Sequence, residues 1–151
     1  KRIDITTAKE LFTTCKAHYS NQDIIIMAAA VADYTPAQVA DQKMKKSDDD
    51  LAIALSRTQD VLKFLGDNKE DQVLVGFAME TENGIENAKK KVARKNLDFI
   101  VYNSINEPGA GFQGDTNKIT IIDKDNNLTN FELKSKQEVA KDILNELLKY
   151  L

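Results

Sequence analysis

Three short, continuous apolar runs constrain this chain more than any other feature. They are Ile24-Ile25-Ile26-Met27-Ala28-Ala29-Ala30-Val31, Val73-Leu74-Val75-Gly76-Phe77-Ala78 and Phe99-Ile100-Val101-Tyr102. None alternates apolar with polar, so each has the pattern of a strand buried on both faces. Such strands need helices above and below, and helical patterns stand between the runs. Thr7-Ala8-Lys9-Glu10 has the form of a capping box, and Leu11, Cys15 and Tyr19 follow at helical spacing, which predicts a helix to about Ser20. Thr58 can cap a short helix through Leu65 that Gly66 ends, and Ile85 to Asn96 reads as a lysine-rich helix. A second capping box, Ser135-x-x-Glu138, opens a final amphipathic helix carrying Val139, Ile143, Leu147 and Leu151.

Strands alternating with helices imply an α/β domain in which a mainly parallel sheet is covered on both faces. This is a Rossmann-like, three-layer arrangement. Near its end Ile119 to Ile122 and Leu128 to Leu133 flank Asp123-Lys124-Asp125-Asn126-Asn127, the signal of an antiparallel hairpin. Arg2 to Ile5 and Leu51 to Leu55 read as short strands, whereas Ala32 to Asp50 and Asn103 to Asn117 lack periodicity and read as loops. In parallel sheets ligands bind outside the carboxyl ends of the strands. Three loops leave those ends here: Ala32 to Lys46, Met79 to Gly84, and Asn103 to Asn117.

The 151 residues fit one domain, and 24 acidic against 21 basic side chains argue against a nucleic-acid partner. The longest apolar run, Ile24 to Ala32, is nine residues, far from the ~20 that span a bilayer. No basic n-region precedes an apolar stretch, so no signal peptide is expected, and a soluble cytoplasmic protein is. One cysteine, Cys15, excludes an intrachain disulfide and a multi-cysteine zinc site; it falls on the apolar face of its helix and reads as core. His18 has no nucleophile near it in sequence and reads as a surface residue, so a Ser/His/Asp or Cys/His hydrolase has no support. There is no G-x-G-x-x-G and no Walker-type loop. The chain opens at Lys1 rather than methionine, as a piece of something longer would.

Several residues can carry chemistry, each against a plainer reading. Asp33 follows the first apolar run at once, where a carboxylate can bond a ribose or help hold a metal ion, or simply cap a turn. Lys43-Met44-Lys45-Lys46 places three ammonium groups in a loop able to close over a polyphosphate, although Asp48-Asp49-Asp50 can balance it as a solvated charge run. Lys91 and Lys95 are one turn apart on one helix face and can grip an anion together. Acidic Glu80, Glu82 and Glu86 ahead of them also give ordinary dipole complementation. Gly76 allows a close backbone approach, and Phe77 can stack on a base or pack in the core.

In order, these segments are Ala28 to Tyr34, Lys43 to Lys46, Gly76-Phe77-Ala78-Met79-Glu80-Thr81, Ala88 to Asp98 ending Arg-Lys-Asn-Leu-Asp, and Gly111-Phe112-Gln113-Gly114-Asp115-Thr116-Asn117. The series resembles the phosphopantothenate–cysteine ligase domain of coenzyme A biosynthesis, across nearly the whole chain. In most bacteria that domain is the C-terminal half of a protein fused to a phosphopantothenoylcysteine decarboxylase, and only the decarboxylase carries FMN. The resemblance implies a dimeric enzyme in which 4′-phosphopantothenate attacks CTP, with Mg²⁺, to form an acyl-cytidylate that the cysteine amine then opens. It implies that Met27, Asp33, Lys43, Gln59, Asp60, Val61, Leu62, Phe77, Lys91 and Lys95 serve the nucleotide, with Lys43 the flap lysine of catalysis. Ala29 and Ala30 would meet the acyl substrate, and no residue is assigned to a resident metal.

Two departures bear on this. Where the family often has Asn-Pro-Asp-Ile/Leu, this chain has Thr58-Gln59-Asp60-Val61, which loses the proline's rigidity. The family's opening glycine-rich turn and its Asn-x-Ser-Ser-Gly stretch, which serve phosphopantothenate, do not occur in this chain. The expectation is a chain that binds nucleotide yet turns over poorly by itself. The competing readings are a nucleotide-binding α/β module without ligase activity, which would take NAD or ATP as readily as CTP, and a partner-binding domain whose lysines are solvated faces.

Overall fold

The computed structural model describes residues 1–45, 50–80, 82–104 and 114–151, with Ser104 described by its backbone alone. Its helices are α1 (Ala8–His18), α2 (Val61–Asn68), α3 (Gly84–Arg94) and α4 (Lys136–Leu147). Its strands are β1 (Ile24–Met27), β2 (Tyr34–Pro36), β3 (Leu55–Arg57), β4 (Val73–Glu80), β5 (Phe99–Ser104), β6 (Thr116–Asn117), β7 (Ile119–Asp123), β8 (Leu128–Asn130) and β9 (Lys134–Ser135).

Both capping boxes form. The Thr7 hydroxyl accepts from the Glu10 N–H at 3.1 Å while the Glu10 carboxylate accepts from the N–H groups of Thr6 and Thr7. Ser135 and Glu138 do the same at α4, satisfying donors that the first turn leaves unpaired. The start of α2 differs from expectation, because its cap is Asp60, whose carboxylate accepts from the Lys63 N–H at 3.0 Å. Its end differs too: α2 passes through Gly66 and reaches Asn68. Gly66 is there for contact rather than termination, since a β-carbon on it would lie 1.8 Å from the Lys95 carbonyl oxygen.

The main sheet runs β1-β4-β5-β7-β8. β1, β4 and β5 are parallel, whereas β7 is antiparallel to β5 and β8 to β7. This is the expected mainly parallel sheet with its late hairpin. Residues of β4 alternate between its faces. Leu74 and Ala78 join Val61, Leu65, Ala88, Val92 and Ile100 under α2 and α3, with α1 packed alongside through Leu11, Phe12 and Cys15. Val73 and Val75 join Phe99, Val101 and Ile121 beneath Val139, Ile143 and Leu147 of α4. Three layers result, with an apolar core on each side of the sheet. Cys15 is half-buried in that packing and His18 is exposed, as the sequence implies. Among the described residues no helix is long and apolar enough to cross a membrane.

Four expectations are corrected. The first apolar run is a strand only to Met27; β1 is an end strand of the sheet, and Ile26 is 42% exposed rather than doubly buried. Arg2 to Ile5 is not a strand, because among the described residues no strand lies beside it to complete its hydrogen bonds, and Ile3 and Ile5 are exposed. The stretch expected as a loop after Ala32 contains β2, which pairs antiparallel with β3, and that pairing moves the strand expected at Leu51–Leu55 to Leu55–Arg57. Leu151 lies beyond α4 and is exposed. Lys46, the aspartates at 48 and 49, Thr81 and the motif residues 111–113 lie outside the described residues.

Candidate functional site

Because β1, β4 and β5 are parallel, their carboxyl ends share one edge of the sheet, and a cleft of about 400 Å³ opens there. That volume is within the range of small-ligand sites. One wall is the irregular segment after β1, contributing Met27, Ala29, Ala30 and Asp33. The opposite wall is the turn into α2, contributing Gln59, Asp60, Val61 and Leu62. Phe77 and Met79 of β4 and Asn103 of β5 close the floor, and Lys91 and Lys95 reach in from α3. Eleven of the residues expected at the site are thus brought together. Lys43 is not: it is exposed, on the segment between β2 and β3, and does not line the cleft.

The walls are tied across their base by Thr58. Its hydroxyl donates to the Ala32 carbonyl at 2.5 Å, and its N–H donates to the Asp33 carbonyl at 2.9 Å. The sequence suggested a helix cap for Thr58, whereas its hydrogen bonds fasten the turn into α2 to the irregular segment that follows β1. Asn103 is another lining residue the motifs did not mark, and its side-chain oxygen accepts from the Asn117 amide at 3.0 Å. A polar residue just past a buried strand's last apolar position was its only signal. Gly76 does not approach the cleft by its backbone; its open face meets Leu97 and Leu62 side chains, while Phe77 packs on the α4 side of the sheet and borders the cleft.

Both lysines of the cleft are paired. Lys95 donates to Asp60 at 3.0 Å, joining α3 to the cap of α2, and Lys91 donates to the Glu80 carboxylate at the end of β4. Partial burial pushes the Asp60 carboxyl upward, but the Lys63 N–H and the Lys95 ammonium outweigh it and leave the group below the ordinary aspartate value. The folded-state value is therefore depressed, so ionised Asp60 stabilises the fold above the unfolded value of about pH 4, and that contribution disappears as pH falls through the lowered one. Asp60→Asn keeps a good cap without the charge, so its stability deficit at pH 7 should vanish in acid, whereas Asp60→Ala should cost about 1 kcal/mol of capping at any pH. Urea unfolding at pH 7 and below the depressed value distinguishes the two; an Asn deficit that persists in acid removes the charge argument.

A cleft at the strands' carboxyl ends, two lysines at the C-terminal end of α3 and the capped start of α2 make up the candidate site. The chain matches the family model described as the DNA/pantothenate metabolism flavoprotein C-terminal domain over residues 1–151. The chain belongs to this family. It is similar to a Cysteine/Cysteine sulfinic acid decarboxylase from an unidentified prokaryote, 49% identical over 147 residues. That match takes in 97% of this chain and 41% of the relative. It is also 45% identical over 145 residues to the coenzyme A biosynthesis bifunctional protein CoaBC of Bacillus subtilis (strain 168), covering 96% of this chain and 36% of that protein. The crystal structure of the C-terminal domain of a CoaBC superposes with a TM-score of 0.77 at 36% identity, over 96% of this chain and 63% of that one. The chain therefore spans well under half the length of these curated relatives, and its mixed sheet is the fold of the family's C-terminal domain.

Proposed function

We propose that this chain carries the nucleotide-handling part of a phosphopantothenate–cysteine ligase, acting in coenzyme A biosynthesis as the bifunctional relatives are named to do. The observation that carries the reading is that two cations, Lys91 and Lys95, line the same cleft as Phe77 and the turn into α2. In the proposed reaction a carboxylate oxygen of 4′-phosphopantothenate attacks the α-phosphorus of CTP and pyrophosphate leaves. The cysteine amine then attacks the acyl carbon of the cytidylate, CMP departs, and 4′-phosphopantothenoylcysteine remains. Such a reaction needs a triphosphate neutralised and held in line, and fixed ammonium groups with oriented backbone dipoles can supply this without a protein nucleophile. Val61 and Leu62 at the start of α2 border the same cleft, and the helix N-terminus favours negative charge there.

In this reading Lys91 and Lys95 meet the phosphates, Gln59 to Leu62 and Met27 flank the nucleoside, and Phe77 lies against the base. Ala29 and Ala30, whose side chains leave the wall open, face the acyl substrate, and Lys43 closes over the phosphates from its segment between β2 and β3. Among the described residues no three carboxylate, histidine or cysteine side chains gather to hold a metal. Mg²⁺ is accordingly proposed to arrive on the triphosphate, using phosphate oxygens and one carboxylate such as Asp33, a donor set that suits it. A second copy of this chain is also proposed: β2 and β3 present Tyr34 and Leu55 more than half exposed, an apolar surface fit for its own duplicate.

Calorimetric titration with CTP and Mg²⁺, beside ATP and NAD and repeated on Lys43→Gln, tests the proposal. CTP should bind in preference to both, and the substitution should weaken it about tenfold, the worth of one charge-assisted contact. Equal uptake of NAD, ATP and CTP would favour a nucleotide module without ligase activity. Sedimentation of the same samples reads the second copy, and a single-chain mass at every concentration would remove it.

A further inference from the structure

Lys91 and Lys95 are not bare cations waiting in the cleft. Each is already matched by a carboxylate, Lys95 by Asp60 and Lys91 by Glu80. The two carboxylates differ in what else they do. Asp60 is fixed by its second hydrogen bond, from the Lys63 N–H, and must stay where it is to cap α2. Among the described residues Glu80 has no second such bond: it is the last residue of β4, 22% exposed at its side chain, and its partner Lys91 lines the cleft. Lys91 itself is 34% exposed and lines both the cleft and a neighbouring groove on α3, whereas Glu80 lines that groove alone.

We infer that Glu80 is a positioning residue that holds Lys91 at the cleft when no polyphosphate is bound and takes it back when pyrophosphate leaves. This rests on the proposed triphosphate reading and goes beyond it, to the release step. An arriving phosphate must displace the Glu80 carboxylate from Lys91, so the ion pair opposes binding. After the nucleotide bond breaks, the same carboxylate competes for the ammonium and weakens the hold on the departing pyrophosphate. A lysine without this partner would keep its anionic product longer. Because both side chains are partly solvated, the effect is moderate rather than absolute.

The test is titration of the chain with inorganic pyrophosphate and Mg²⁺ in four forms: wild type, Glu80→Gln, Lys91→Gln and the double variant. Glu80→Gln should tighten pyrophosphate binding about threefold to tenfold, and in the Lys91→Gln background it should change affinity less than about twofold. Tightening is the discriminating sign, since a carboxylate that merely braced the strand end would weaken binding when removed. Unchanged or weaker binding in Glu80→Gln, with Lys91→Gln still weakening the wild-type site, overturns the exchange alone. Wild-type binding that Lys91→Gln leaves untouched overturns both the exchange and the phosphate reading beneath it.

Discussion

Gly66→Ala is expected to destabilise the chain by roughly 3–5 kcal/mol, a value reserved for changes with a definite structural cause. Alanine is the better helix former by about 1 kcal/mol, so propensity argues for a gain at this α2 position. Contact argues otherwise. A β-carbon at Gly66 would lie 1.8 Å from the Lys95 carbonyl oxygen and 2.8 Å from its carbonyl carbon. Both are backbone atoms, which cannot swing aside as a side-chain tip can. The Gly66 carbonyl also accepts from the Asn96 side chain at 2.8 Å, so parting the segments breaks that bond as well. Gly76→Ala is the control: its new methyl would meet Leu97 and Leu62 methyl groups at 2.8 and 3.0 Å, side-chain ends that can shift, and should cost about 1 kcal/mol. Urea midpoints measure both, and a Gly66→Ala midpoint equal to wild type would mean the contact is not held in solution. The consequence extends to the cleft, because Lys95 is the residue whose backbone must give way.

What the sequence made legible follows from where the chain's own pattern decides the structure. Val73 to Ala78 and Phe99 to Tyr102 form central strands with an apolar layer on each side, so their composition alone reports their burial. The capping boxes at Thr7 and Ser135 are local, and both form. Ile24 to Val31 looked the same as the central runs, yet the segment turns out of the sheet after Met27 and becomes a wall of the cleft. Periodicity cannot separate a doubly covered strand from an end strand followed by an apolar turn, because both need small and branched residues in a row. β2, β6 and β9 were illegible, and β3 was expected some residues early, for a different reason: two or three residues hold no period, and their pairing is fixed by partners some 20 residues away, as Tyr34 and Arg57 are.

The site divides along the same line. Residues on or next to regular elements could be placed together from spacing: Lys91 in the last turn of α3 and Lys95 at its C-cap both line the cleft, and Phe77 stands near the end of β4. The role of Thr58 could not, since its bonds to Ala32 and Asp33 cross 26 and 25 positions of sequence through an irregular segment. Nor does spacing reveal that Asp60 and Glu80 already occupy the two lysines, because that depends on how α3 lies against α2 and β4.

Removing both cleft ammonium groups, as Lys91→Gln with Lys95→Gln, should weaken CTP binding about a hundredfold. A hydrogen bond to a charged group contributes about 1.5–3 kcal/mol, but each lysine must first leave a carboxylate, which brings the net loss nearer tenfold per residue. Because the two lysines stand one turn apart and meet one polyphosphate, their losses couple, and the figure of about a hundredfold is the additive limit. Salt supplies an independent reading: with fewer ammonium contacts, the affinity of the double variant should fall less steeply between low and moderate ionic strength. Lys89→Gln serves as the control, because Lys89 pairs with Glu86 at 3.2 Å on the exposed side of α3 and does not line the cleft. Were the double variant to bind CTP like wild type, or Lys89→Gln to weaken it equally, the helix would be contributing general positive charge rather than two placed contacts. The decisive comparison is therefore made per charge removed, between Lys89, which does not line the cleft, and the two lysines that do.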